Sequence, residues 1–333
     1  SLEPPMPTPR LVTPLVLTLI AAFGLACLSG RDKGEGDGDG LFGGRDDEEE
    51  DPVLPVDVAQ VFYVTSDAEG RYYPDDVDTE AELCPAGATY LGGNGYAAAC
   101  LDPNIKGAYG VIGSADREYY PDDLDDPAAV CPSGTTFVGF NSWYHTCVSD
   151  KSSAQVSLFY NAAGDYIDET DVRDFCPGGT TALGYAYYGS GECGLDGPRG
   201  VVTLTMDSQG RYVEDVDSAA DLCPAGWEFM GTSWYGSTVC AGDVGAVVGI
   251  SVDAQGRYVE DVEDPSELCP AGSEYLGGYS YTQYCYIPER VTPVYLTRDA
   301  QGRYLEDVSD PAELCPDGFE YIGGSGYAAV CVR

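Results

Sequence analysis

From residue 61 onward the chain runs through short bursts of alternating apolar and polar positions, and the same series of bursts recurs six times. "VVTLT" (201–205) is rich in β-branched residues and alternates weakly, which predicts a strand. "DSQG" follows, opening on Asp207 and closing on Gly210, the chemistry of a type I turn. "RYVEDV" (211–216) then returns, with Arg211, Val213 and Asp215 on one face and Tyr212, Glu214 and Val216 on the other. In the next unit "DPSELCP" (264–270) predicts one helical turn, capped by Asp264, begun by Pro265 and ended by Pro270. "SEYLGGYSYTQYCY" (273–286) predicts a second hairpin with Gly277 and Gly278 near its bend. A unit is therefore two hairpins joined by a helical turn, and the fold class is all-β.

The cysteines put this pattern in register. Cys27 stands alone near the N-terminus, and the other twelve form six pairs. They are Cys84/Cys100, Cys131/Cys147, Cys176/Cys193, Cys223/Cys240, Cys269/Cys285 and Cys315/Cys331, each 16 or 17 residues apart. The first cysteines of successive pairs are 47, 45, 47, 46 and 46 residues apart, a period that signals a repeat architecture. The repeats run 53–102, 103–150, 151–196, 197–242, 243–287 and 288–333. Pairing within each repeat is the simplest connectivity, and zinc is the poorer use because His145 is the single histidine. A unit this small lies near the size at which domains need staples, and each bridge should supply roughly 3 kcal/mol.

Two arrangements accommodate six such units: a linear stack of stapled β modules, or a six-bladed β-propeller. The stack is preferred at this level. No strand exchange between the first and last units is evident, and propeller blades seldom need a disulfide of their own.

The N-terminus has a different pattern. Residues 11–27, "LVTPLVLTLIAAFGLAC", form an apolar run preceded by Arg10, suited to a signal peptide and short for a membrane span. Its end, "GLAC", resembles the bacterial lipoprotein signal, which makes Cys27 a candidate lipid anchor; Gly24 departs from the leucine usual there. Cleavage after Ala26 by an ordinary signal peptidase is the rival. Residues 1–26 are thus a signal peptide, and 27–52, rich in Gly, Asp and Glu, form a solvated tether. Together with the paired cysteines this predicts an extracellular or outer-surface protein, in contact with membrane only through a lipid anchor.

Charge narrows the partners. With 16 basic and 56 acidic residues the formal charge is −40, which excludes nucleic acid as a partner. The repeated phrase carries an arginine and an acidic pair: Arg71 with Asp75/Asp76, Arg211 with Glu214/Asp215, Arg257 with Glu260/Asp261, and Arg303 with Glu306/Asp307. Repeat 2 keeps Asp122/Asp123 but has Glu118 in place of the arginine, and repeat 3 is shortened, with Asp168/Glu169. Calcium is one use of such carboxylates, but no D-x-D-x-D-G loop lies within the repeats. An arginine held by acidic neighbours to stabilise its hairpin is preferred, so no cofactor is expected and calcium stays an open alternative. Paired carboxylates also serve glycosidases, but these recur in every unit, and neither G-x-S-x-G nor H-E-x-x-H is present. No enzyme is expected, and His145 reads as a surface or packing residue.

One aromatic residue recurs four to six positions before each second cysteine: Tyr96, Trp143, Tyr188, Tyr235, Tyr281 and Tyr327. A row of flat rings suits sugar stacking, whereas rings covering their own disulfides or the next unit are the preferred structural reading. In class the chain resembles secreted or lipidated bacterial repeat proteins with a Gly/Asp tether. The leading expectation is a self-associating structural protein, a fibril or matrix subunit, with residues 51–64 as a strand donated to a neighbouring copy. The alternative is a carbohydrate-binding or adhesive module for glycans or surface polymers.

Overall fold

The computed structural model describes residues 59–333, apart from Ser152, Tyr187, Tyr188, Pro198, Trp234, Tyr235, Asp243, Val244, Glu289 and Arg290. The leader, the tether, Cys27 and residues 51–58 lie outside the described residues.

Each repeat keeps three strands and lends a short fourth. In repeat 1, Val61–Val64 pairs antiparallel with Ala97–Leu101, which pairs with Thr89–Asn94. After Val64 the chain passes through Thr65 into Ser66–Asp67, and these two residues pair with Thr136–Asn141 of repeat 2. The hand-over recurs from Tyr160–Asn161 to Glu228–Thr232, from Met206–Asp207 to Glu274–Tyr279, and from Val252–Asp253 to Glu320–Ser325. Between repeats 2 and 3 it shrinks to one bridge, Gly113 to Tyr185. Finally Arg298–Asp299 of repeat 6 pairs with Thr89–Asn94 of repeat 1. The array therefore closes into a ring of six blades.

The ring is the six-bladed alternative rather than the linear stack preferred from sequence, and the reason lies in the lending. An array of three-stranded blades that each lend a strand forward has an unfilled blade at one end and a spare strand at the other, so its ends are complementary. Apolar packing follows the same circuit. Among the described residues six buried clusters form, one across each joint between neighbouring repeats. The cluster joining last to first packs Val294, Leu296 and Leu314 against Val61, Leu91 and Ala99. Val61–Val64 thus completes a blade of its own chain, so this part of the segment proposed for donation is already in use.

The all-β, six-module reading holds, and each disulfide forms within its repeat. The bridges are Cys84–Cys100, Cys131–Cys147, Cys176–Cys193, Cys223–Cys240, Cys269–Cys285 and Cys315–Cys331, with Cα–Cα distances of 5.5–5.7 Å. The two ends of a bridge differ. The first cysteine follows the short helical turn and is half-buried. The second, which is Cys100, Cys147, Cys193, Cys240, Cys285 or Cys331, lies on the middle strand of its three and is fully buried. These six cysteines are structural, as the paired spacing predicts. They belong to the core, where a sulfur on the central strand ties the helical turn down over the blade.

The helical turn itself is present as a 3-10 turn, Pro265–Leu268, where Asp264 Oδ1 accepts the Ser266 N–H at 2.9 Å. The first hairpin is shorter than "RYVEDV" suggests. Only Tyr212 bridges back, to Met206, before Val213–Asp215 coils into another 3-10 turn.

Gly277 does not make the bend of the second hairpin. It sits at a bulge with φ 128°, and a Cβ there would run into the Met206 carbonyl of the preceding repeat. Gly92, Gly139, Gly184, Gly231 and Gly323 are placed in the same way against their preceding repeats. The repeated glycine is what lets the lent strand approach.

Candidate recognition face

The repeated arginines and acids build turns. In four repeats the arginine's partner is the buried aspartate that opens the turn, not the acidic pair that follows. Arg71 Nε donates to Asp67 Oδ2 at 2.6 Å, and Arg211, Arg257 and Arg303 do the same to Asp207, Asp253 and Asp299 at 2.7 Å. The other carboxylate oxygen accepts two backbone N–H groups, such as those of Gln255 and Arg257 at 2.9 Å. Burial pushes the Asp253 carboxyl up, but these donors outweigh it and hold the group below its ordinary value. Ser114 and Asn161 fill the aspartate's place in repeats 2 and 3.

The second acid of each pair has its own duty. Asp76, Asp215, Asp261 and Asp307 accept the backbone N–H of Tyr72, Tyr212, Tyr258 and Tyr304 at 2.9–3.1 Å. Asp123 does the same for Tyr119. The first acids, Asp75, Glu214, Glu260 and Glu306, face solvent. Among the described residues no three His, Cys, Asp or Glu side chains converge on a metal-sized site. An arginine tied to acid is thus present, but the acid differs from the pair named by sequence.

His145 is buried among the rings of Tyr120, Phe137 and Phe140, with Nδ1 3.2 Å from the Val111 carbonyl. Burial lowers its pKa, with the Val111 contact opposing, as suits a packing residue.

Four of the six repeated aromatics are described, and none of these four is buried. Strand pairing ends at Asn94/Ala97, Asn141/Tyr144, Tyr279/Thr282 and Ser325/Ala328, which leaves two residues at each turn. The second of these is Tyr96, Trp143, Tyr281 or Tyr327, and they are 92%, 77%, 83% and 89% exposed. They cover neither a disulfide nor the next repeat, which corrects the preferred reading. Tyr188 and Tyr235 lie outside the described residues, in the two repeats whose cysteines are 17 residues apart.

Three of the four described tips are held to the repeat before them. Thr65 Oγ1 accepts the Ser142 N–H, Ser251 Oγ the Gly326 N–H and Thr297 Oγ1 the Gly95 N–H, all at 2.9 Å. At the closing joint Arg298 Nη1 donates to the Gly95 carbonyl and to Tyr304 Oη. Because the turns occupy equivalent places in blades set around one ring, they rise from the same face. In sequence they are flanked by the neutral hydrogen-bonding groups Asn94, Asn141, Ser142, Tyr279, Ser280 and Ser325, and the Gly95 turn also meets the Arg298 guanidinium.

No family model, curated protein or solved structure matches this chain.

Two polar networks tie the ring. Glu80 and Arg298 form a largely buried ion pair across the closing joint, and Tyr90 Oη donates to Glu80 at 2.8 Å. Glu192 is fully buried and accepts from Ser157 Oγ at 2.6 Å, from Ser190 Oγ at 2.9 Å and from Gln155. Gln155 in turn bonds both the N–H and the carbonyl of Gly110 in the preceding repeat. Sequence reasoning missed both. The available signal was departure from the repeat: Arg298 stands where the other repeats have Ser66, Gly113, Tyr160, Met206 and Val252.

Proposed function

We propose that this protein is a non-enzymatic, multivalent recognition module of the cell exterior that binds neutral glycans through the aromatic tips of its blades. The observation that carries this reading is four highly exposed rings at equivalent two-residue turns on one face. Exposed aromatic rings grouped on a surface favour a partner that covers them. Short turns on rigid blades lose little freedom on binding, and neutral amides and hydroxyls beside a ring match the alternating C–H and O–H surfaces of a sugar. Equivalent sites on one ring add avidity without stronger single contacts. Six intramolecular disulfides are compatible with an oxidising, extracellular setting.

The filament reading loses the open ends it relied on, because the first and last repeats pair with each other. Electron microscopy separates the two: discrete rings are expected, and regular filaments favour the structural role. The direct test is a glycan array. Replacing Tyr96, Trp143, Tyr281 and Tyr327 by serine should shift the melting temperature by less than about 2 °C, since exposed side chains contribute little to stability. Binding should fall more than about tenfold. Retained binding would refute the proposal.

A further inference from the structure

The four described two-residue turns share a backbone and differ in sequence. The first turn residue has φ near +57°: Gly95 at 59°, Ser142 at 56°, Ser280 at 56° and Gly326 at 59°. The second residue is never in the positive-φ region, so the pattern is that of a type II′ turn, whose first position ordinarily belongs to glycine. Repeats 1 and 6 obey that rule and repeats 2 and 5 do not. At Gly95 and Gly326 a Cβ would meet nothing within 4 Å. Space is therefore open at this turn, and serine's penalty there is one of backbone dihedral alone.

A third strained residue shows how such a penalty is ordinarily offset. Arg117 has φ 60° where five other repeats have glycine at the corresponding turn. Its guanidinium lies over the Tyr185 ring, 4.8 Å from the centroid, and donates to the Ile167 carbonyl at 3.1 Å, joining repeats 2 and 3. Ser142 and Ser280 return nothing of this kind. Both are exposed, and neither hydroxyl has a hydrogen-bond partner among the described residues. Each immediately precedes an exposed ring, Trp143 or Tyr281.

The geometry points to Ser142 and Ser280 as specificity-determining residues: their hydroxyls bond a sugar stacked on Trp143 or Tyr281, which makes repeats 2 and 5 the tighter subsites of the ring. This rests on the glycan-binding reading above. A fixed positive φ holds each hydroxyl beside its ring, where a glycine turn offers a stacking platform and no side-chain donor. The ligand is then a neutral saccharide whose hydroxyl groups lie at the edge of the stacked face.

The test uses a panel of neutral tetrasaccharides of glucose, N-acetylglucosamine, mannose and galactose, titrated against the full ring. Ser142→Gly/Ser280→Gly should raise the melting temperature by roughly 2–4 °C, by relieving the backbone, and weaken the best tetrasaccharide roughly three- to tenfold. Ser142→Ala/Ser280→Ala should weaken binding equally with no gain in stability, because alanine keeps the strain and loses the hydroxyl. Unchanged binding in both variants, or loss in the glycine variant alone, overturns the assignment of the hydroxyls while leaving ring stacking intact. Failure of the wild-type ring to bind any tetrasaccharide overturns the broader reading and this one together.

Discussion

Replacing Arg298 by alanine is expected to destabilise the ring by about 3–5 kcal/mol, the usual cost of leaving a buried charge without its partner. Arg298 is the only residue among the described ones that ties repeat 6 to repeat 1 by an ion pair, and both it and Glu80 are largely shielded from water. The loss would fall at the one joint where the chain does not continue from blade to blade. Elsewhere the chain also continues covalently from one blade into the next, whereas here the lent strand Arg298–Asp299, an apolar cluster and this pair join the ends. The Tyr63 hydroxyl accepts the Tyr295 N–H at 2.9 Å across the same joint. Chemical denaturation of R298A measures the cost. The double variant R298M/E80Q, which removes both charges, should recover most of it, and a loss below about 1 kcal/mol in R298A would show that the pair does not latch the ring.

The second large effect concerns pH. Glu192 is buried with three hydrogen-bond donors and no cation, and desolvation outweighs those donors, raising its pKa from 4.5 to about 7. A carboxyl whose pKa is higher in the folded state favours folding while it is protonated. Its contribution is complete below 4.5 and is lost as pH rises through 7. Wild type should therefore lose roughly 2–3 kcal/mol more than E192Q between pH 5 and pH 8, and taking the difference cancels the titration of the other acids. The affected joint is the one where a single bridge joins the strands of repeats 2 and 3, and Gln155 spans the gap. Equal pH profiles for the two proteins would mean that Glu192 titrates as an ordinary carboxylate.

Features set by local spacing were legible in the sequence. Cysteines at fixed separation, Asp-Pro at the 3-10 turn and β-branched bursts each act within a few residues, and repetition confirms them within one chain. Closure was not legible, because a strand of two residues has no periodicity to read and Arg298 looks like an ordinary surface charge until Glu80 is beside it. The aromatics failed for a related reason. Counting back from Cys100 in steps of two places Tyr96 on the face of the disulfide, but alternation stops where pairing ends at Asn94 and Ala97. Tyr96 is in the turn and points to solvent. The acids illustrate a third limit: Asp67 and Asp76 are both four or five residues from Arg71, and only the fold decides that Asp67 takes the guanidinium.

Calorimetric titration of the intact ring with its best-bound tetrasaccharide tests the central claim most directly, since equivalent tips on one face require several sites per chain. About four molecules should bind per ring, with the signal lost when Tyr96, Trp143, Tyr281 and Tyr327 are replaced by serine. A single site, or binding that survives removal of those rings, would contradict it.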